Sequence, residues 1–163
     1  MKTTAQRLRQ QIKVCIWIII GGLALSGLTA FPIETELEML VRYNRDLPAS
    51  LQSWLDTVHG AIKSTNRNYP FLSYGTDWLA FAHLMLAILF LGPLRNPLKN
   101  EWIIEFGILC CLAIIPLALI AGYVRSIPLF WRFVDCAFGI VGIVPLLLCY
   151  RNIQKLKQPE MKS

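Results

Sequence analysis

The sequence predicts an all-α protein built as a four-transmembrane-helix antiparallel bundle with an outer amphipathic helical segment. Of its 163 residues, 55% are hydrophobic and only 16% are charged, whereas soluble domains carry about 25% charged residues. The apolar residues are gathered into long blocks, each close to the roughly 20 residues that a helix needs to cross a bilayer. Composition and patterning together argue against an ordinary soluble domain, a disordered chain and a nucleic-acid-binding protein.

Four apolar blocks are predicted to cross the membrane as helices, and three of them contain ionisable residues. The second block contains Asp77 and His83, the third contains Glu105, and the fourth contains Arg132 and Asp135. The first block is free of charge, and its length of about 18 residues is long for the apolar part of a cleaved secretory signal. The predicted spans are 14–31, 76–94, 102–122 and 127–150, so that residues 1–163 form a single membrane domain.

The distribution of Lys and Arg predicts that both termini lie in the cytoplasm. Ten of the sixteen basic residues fall on the side of the termini and six on the other side, and cytoplasmic loops carry the excess of Lys and Arg. The ten are Lys2, Arg7, Arg9, Lys13, Arg95, Lys99, Arg151, Lys155, Lys157 and Lys162. This basic inner rim faces anionic lipid headgroups, which explains the net charge of +6 without a specific acidic partner.

The outer helical segment, residues 32–75, is the one long connection between spans. Glu34 and Glu36 fit the first turn of one helix, and Asp46-Leu47-Pro48 starts a second. The second helix is expected to be about 15 residues long and amphipathic, lying on the outer leaflet or capping the bundle. Residues 64–70 are expected to form a polar, turn-rich link. The apolar stripe of the second helix is Leu51, Trp54, Leu55, Val58 and Ile62.

Charged residues within membrane spans are costly and often mark function, so they define the candidate site. Arg132 and Asp135 are three residues apart on one helix and therefore lie within salt-bridge reach. Asp77 begins the second span on the same outer side. These residues are expected either to form an ion-pair clasp between helices or, together with His83 and His59, to line an outward-facing polar patch that binds a lipid or small molecule.

The two histidines support an alternative class of function. His59 flanks the apolar stripe of the amphipathic helix and is expected near the mouth of the bundle, above His83. His83 is expected to donate a hydrogen bond to another helix, or else to serve a metal, a haem or a proton relay. The H-x-x-H and H-E-x-x-H spacings are absent, so no metal ligands are assigned and the cofactor stays unspecified. The alternative is a metal- or haem-dependent membrane enzyme that uses His59 and His83.

Small and sulfur-containing residues within the spans predict close helix packing rather than cross-links. Gly139 and Gly142 allow another helix to approach the fourth span closely. Because every cysteine lies within a predicted span, no structural disulfide is expected. The cysteines are Cys15, Cys110, Cys111, Cys136 and Cys149.

A chain of four spans with two aspartates near the outer face resembles the lipoprotein signal peptidases, which are intramembrane aspartic proteases. The resemblance implies that Asp77 and Asp135 are a catalytic pair, one carboxylate activating water and the other acting as its acid partner. The Asn-bearing segments of that family are absent around both aspartates. An intramembrane aspartic hydrolase is therefore a further alternative.

Three short segments resemble a set of small bacterial membrane proteins. They are YGTDWLAFAH at 74–83, GPL at 92–94, and Phe130-Trp131 followed by Asp135-Cys136. This resemblance implies the bacterial inner membrane and carries no activity with it. The leading hypothesis is therefore a non-enzymatic binding or assembly component whose partners are the bilayer, a lipid or small-molecule ligand, or another membrane protein, and not nucleic acid.

Overall fold

The computed structural model describes residues 3–43 and 47–158, and these residues form helices and short connections without a β-strand. The all-α class is therefore confirmed. Phe90 alone separates the fourth helix from the short fifth one. The helices are α1 (Thr4–Ala30), α2 (Ile33–Tyr43), α3 (Ala49–Asn68), α4 (Pro70–Leu89), α5 (Leu91–Arg95), α6 (Glu101–Val124) and α7 (Leu129–Lys157).

Four helical segments are long and apolar enough to cross a membrane, and they correspond to the four predicted spans. They are Thr4–Ala30, Pro70–Arg95, Glu101–Val124 and Leu129–Lys157. The first begins at Thr4 rather than at residue 14, and the last continues to Lys157 rather than ending at residue 150. The apolar blocks mark the centres of these helices. Lys, Arg and Gln extend the ends because these residues favour helical conformation almost as well as leucine does.

Residues 32–75 contain the two predicted helices, but the polar link that follows them is much shorter than expected. Glu34 and Glu36 lie in the first turn of α2, and α3 has 20 residues rather than about 15. Every residue of the predicted apolar stripe of α3 is buried or half-buried. Residues 64–68 belong to α3, which leaves Tyr69 alone between α3 and α4. The helix continues because polar side chains of its last turns hydrogen-bond to one another and to α2.

The chain divides into two compact units. The first, which we call the hairpin unit, comprises Met1–Gly21 and Ala87–Ser163. The second, the α2–α3 unit, comprises Gly22–Leu86. The hairpin unit thus contains most of α1 together with α5, α6 and α7, and the α2–α3 unit contains the end of α1 and nearly all of α4.

Helices α6 and α7 form an antiparallel hairpin over their full length. Residue numbers fall along α6 as they rise along α7 from one contacting pair to the next, which is the pattern of antiparallel neighbours. At the end far from the turn, Glu101 forms an ion pair with Lys157 and accepts a hydrogen bond from Gln154. From the turn outward, the contacting pairs are Arg132–Gly122, Gly139–Cys111, Leu146–Gly107 and Lys157–Glu101.

The backbones of α6 and α7 approach each other closely at Gly139. A methyl group at this position would lie 2.5 Å from the carbonyl oxygen of Cys111 on α6, well inside van der Waals contact. Nearby, Cys136 Sγ lies 4.0 Å from the carbonyl oxygen of Ile115. At Gly142 the methyl group would meet only the Cys111 sulfur, at 3.2 Å. The predicted close packing is confirmed, and Gly139 is the residue that permits it.

Within the hairpin unit, α1 packs one face inward beside α7. Its buried residues fall at i, i+3, i+4 and i+8, which lie on one side of a helix. The amide of Asn152 on α7 donates a hydrogen bond of 3.2 Å to Gln11 Oε1 on α1. The buried residues are Ile12, Cys15, Ile16 and Ile20.

In the α2–α3 unit a single amide joins three helices. Asn66 on α3 donates from Nδ2 to Glu34 Oε2 on α2 at 2.5 Å, and its Oδ1 accepts a hydrogen bond from the Ser73 hydroxyl on α4. All three side chains are half-buried. The end of α1 also packs closely on α4, because a methyl group at Gly27 would lie 2.8 Å from the Ala80 carbonyl oxygen.

The surface of the candidate spans is apolar. Among the residues that the structure describes, no charged or polar side chain is fully buried. Large aliphatic side chains point outward instead, with Leu117 65%, Ile120 66% and Val141 70% exposed. Exposed apolar area of this extent requires a lipid or protein environment.

Candidate functional site

The turn between α6 and α7 is fixed by the backbone itself. The N–H of Ile127 donates to the Gly122 carbonyl at 2.8 Å, and the N–H of Ser126 donates to the Tyr123 carbonyl at 3.1 Å. These two bonds make a Schellman motif, in which the residue after the C-cap takes the left-handed conformation. Ser126 has this conformation, with φ of 56°. Pro128 is the N-cap residue of α7, so the turn comprises residues 125–128.

Arg132 is anchored back onto this turn. Its Nε donates a hydrogen bond of 2.7 Å to the carbonyl oxygen of Ile127, and its guanidinium carbon lies 5.6 Å from the centre of the Tyr123 ring. The side-chain stem crosses α6 at Gly122, where a methyl group would lie 2.8 Å from Arg132 Cγ. Arg132 is thus a structural part of the hairpin end, combining a cation–π contact with a hydrogen bond.

The predicted ion pair between Arg132 and Asp135 is absent, which corrects the sequence-based expectation. Side chains on a helix lean toward its N-terminus, and Arg132 extends in that direction to Tyr123 and the Ile127 carbonyl, away from Asp135. Asp135 is half-buried and has neither a hydrogen bond nor an ion pair within the described part of the chain. Its carboxylate is therefore available to a ligand.

Asp135 lines a groove beside the turn, which we call the turn-end groove. The groove has a volume of about 400 Å³. One wall is the apolar face of α6, including Leu117, Ala118 and Ala121, and the charged groups at it are Asp135 and Arg125. Arg125 is exposed and forms no ion pair with any described residue. The groove therefore offers one anion and one cation next to an apolar surface.

The other three predicted site residues lie in the α2–α3 unit. Asp77 is half-buried. It lies about two turns into α4, because that helix begins at Pro70 rather than at residue 76. His83 lies farther along α4, and its Nδ1–H donates to the Leu79 carbonyl oxygen of the same helix at 2.8 Å. The expected hydrogen bond from His83 to another helix is therefore replaced by a local one.

His59 on α3 is half-buried, and its Nε2 is buried without a hydrogen-bond partner in the described structure. An unpaired ring nitrogen is a potential metal ligand. Residues 3–43 and 47–158, however, contain no group of three or more His, Cys, Asp or Glu side chains placed to hold a metal ion.

The structure places Arg132 and Asp135 in one unit and Asp77, His83 and His59 in the other. A patch shared by all five residues stays a prediction. Sequence reasoning missed the roles of Gly122 and Tyr123 in fixing Arg132. The available signal was Gly122 followed by Tyr123 just before the turn. Which side chain of α7 packs against Gly122 depends on the packing of the two helices, which the sequence does not give.

The chain matches no family model, no curated protein and no solved structure.

Proposed function

We propose that this chain is a polytopic protein of the bacterial inner membrane that acts as a non-enzymatic binding or assembly component. The outward-facing ligand site is the turn-end groove, and both termini lie in the cytoplasm. The observation that carries the proposal is the pairing, in one groove, of an unpartnered half-buried carboxylate and a free guanidinium beside an apolar wall. Charged groups at a membrane-embedded surface are costly unless something compensates them.

The chemistry of the groove favours a lipid whose headgroup carries both an ammonium and a phosphate. The Asp135 carboxylate suits the ammonium, the Arg125 guanidinium suits the phosphate, and the α6 wall suits the glycerol and acyl region. Binding is favoured over catalysis because Asp135 is the one carboxylate at the groove. The other ionisable group is an arginine, which stays protonated and cannot exchange protons with it.

We expect purified protein to retain phosphatidylethanolamine in native mass spectrometry and Asp135→Asn to reduce that retention about tenfold, because a charge-assisted hydrogen bond is lost. Glu105→Gln is the matched control, since Glu105 is exposed, forms no ion pair with the described residues and does not line the turn-end groove. Equal retention by wild type and Asp135→Asn would refute the lipid site. A Soret band or stoichiometric metal in the purified protein would favour the histidine-based alternative instead.

The proposed orientation gives a separate expected result. A green fluorescent protein fused after Ser163 should fluoresce, because the ten basic residues on the side of the termini retain that side in the cytoplasm. The same position fused to alkaline phosphatase should be inactive, because that enzyme needs the periplasm to form its disulfides. An active phosphatase fusion with a dark fluorescent fusion would reverse the assignment.

A further inference from the structure

We infer that a second groove, between α1 and α7 of the hairpin unit, binds the phosphate headgroup of an anionic phospholipid. This α1–α7 groove has a volume of about 450 Å³ and lies at the opposite end of α7 from the turn-end groove. It uses none of the residues of the proposed outer site. The inference rests on the proposed function only for the orientation of the chain, which places this end of the hairpin unit in the cytoplasmic leaflet.

The α1–α7 groove is graded from polar to apolar along the helices. Gln11 and Asn152 are hydrogen-bonded across it, and Cys15 on α1 and Leu148 on α7 lie one turn farther from the termini. Arg7 lies one turn nearer the terminus on α1. From Arg7 to Cys15 the rise along α1 is about 12 Å, which is enough for a phosphate at the polar end and the first part of an acyl chain at the other.

The groups at the polar end are those that bind phosphate. The Arg7 guanidinium presents a planar set of N–H donors that matches phosphate oxygens, and the amide groups of Gln11 and Asn152 can add neutral donors. At the apolar end, the buried Cys15 forms the bottom of the groove, and the exposed Leu148 side chain forms its edge. This is the lining expected for an amphiphile rather than for a free ion.

The charge around the groove favours an anionic lipid over a zwitterionic one. Helix α1 contains no Asp or Glu, and α7 contains none after Asp135. Basic pockets between membrane helices on the cytoplasmic side are typical sites for anionic lipid headgroups. Within the described residues, five nearby cations form no ion pair: Arg7, Arg9, Lys13, Arg151 and Lys155.

The test compares retention of phosphatidylglycerol with that of phosphatidylcholine of the same acyl chains, measured by native mass spectrometry of the full chain in mild detergent. We expect wild type to retain phosphatidylglycerol preferentially and Arg7→Gln to reduce that preference about fivefold. Arg9→Gln is the matched control, because it removes the same charge from an exposed residue that does not line the groove. Both variants should keep the thermal midpoint of wild type.

The outcomes distinguish binding in the α1–α7 groove from nonspecific attraction to a basic surface and from binding in the turn-end groove. Equal losses in Arg7→Gln and Arg9→Gln would overturn the inference, since a nonspecific basic surface would then explain the preference. Displacement of phosphatidylglycerol by an equal concentration of inorganic phosphate would overturn it too, because the acyl chain would then contribute nothing to binding. Asp135→Asn should leave phosphatidylglycerol retention unchanged, so loss of the ethanolamine lipid in that variant tests the proposed function alone.

Discussion

Replacing Gly139 with leucine will separate α6 from α7 and abolish the stable hairpin. The first carbon of the new side chain would lie 2.5 Å from the carbonyl oxygen of Cys111. That oxygen belongs to the backbone of another helix, so it cannot move aside as a flexible side chain would. The helices must separate, and the contacts on either side of Gly139 are then lost together.

We expect this substitution to lower the free energy of unfolding by about 3 kcal/mol or more, at the upper end of overpacking effects. Gly139→Ala should have a smaller effect of the same sign. The measurement is the thermal midpoint in detergent, monitored as the loss of helical circular dichroism. The size-exclusion profile is recorded alongside it.

The matched control for Gly139 is Gly21→Leu on α1. A methyl group at Gly21 would contact nothing within 4 Å beyond its own stretch of helix, and leucine favours a helix over glycine by about 1 kcal/mol. This variant should equal or exceed the stability of wild type. If Gly139→Leu melts with the wild-type midpoint, the close contact between α6 and α7 does not exist.

Replacing Asn66 with aspartate will loosen the α2–α3 unit, although the two side chains have nearly the same shape. The new carboxylate would take the place of the amide that donates to Glu34 Oε2 at 2.5 Å. A donor is thus exchanged for a second negative charge. Two unit charges 4 Å apart repel by about 4 kcal/mol at an effective dielectric constant near 20, and partial exposure of the pair makes this an upper bound.

The readout for Asn66→Asp is hydrogen exchange of peptides from α2 and α3. We expect faster exchange at neutral pH and recovery toward the wild-type rate in acid, where protonation of one carboxylate restores a hydrogen bond between the two. Asn68→Asp is the matched control, because Asn68 is exposed and bonds only to Ser64 within its own helix. Similar exchange in both variants at all pH values would show that Asn66 does not join the helices.

In the amphipathic segment, the sequence predicts the buried face of α3 but not the end of that helix. The stripe from Leu51 to Ile62 was correct because a helix with a period of 3.6 buries one face wherever it packs. The predicted link at residues 64–70 was wrong for a related reason. Its Ser and Asn residues favour turns when they lack partners, but Asn66 finds its partner, Glu34, on α2.

In the candidate site, the sequence predicts the important residues but not their contacts. The sequence identified Asp135 and Arg132 from their cost within an apolar helix, and their spacing predicted an ion pair. The structure does not pair them, because Gly122 opens a path for Arg132 to the Tyr123 ring and the turn. Helical spacing determines which side chains are within reach of each other, whereas the packing of neighbouring helices determines which contacts form.

Local composition and periodicity are enough to predict the helical class and the four apolar helices, because both depend on residues that are neighbours along the chain. Charge counts alone predicted an orientation. Three features depend on packing between helices: the close contact of α6 and α7 at Gly139, the unpaired Asp135 in its groove, and the second groove between α1 and α7 lined by Arg7. These features depend on which residues from distant parts of the chain come within a few ångströms of each other, and no periodicity along a single helix contains that information.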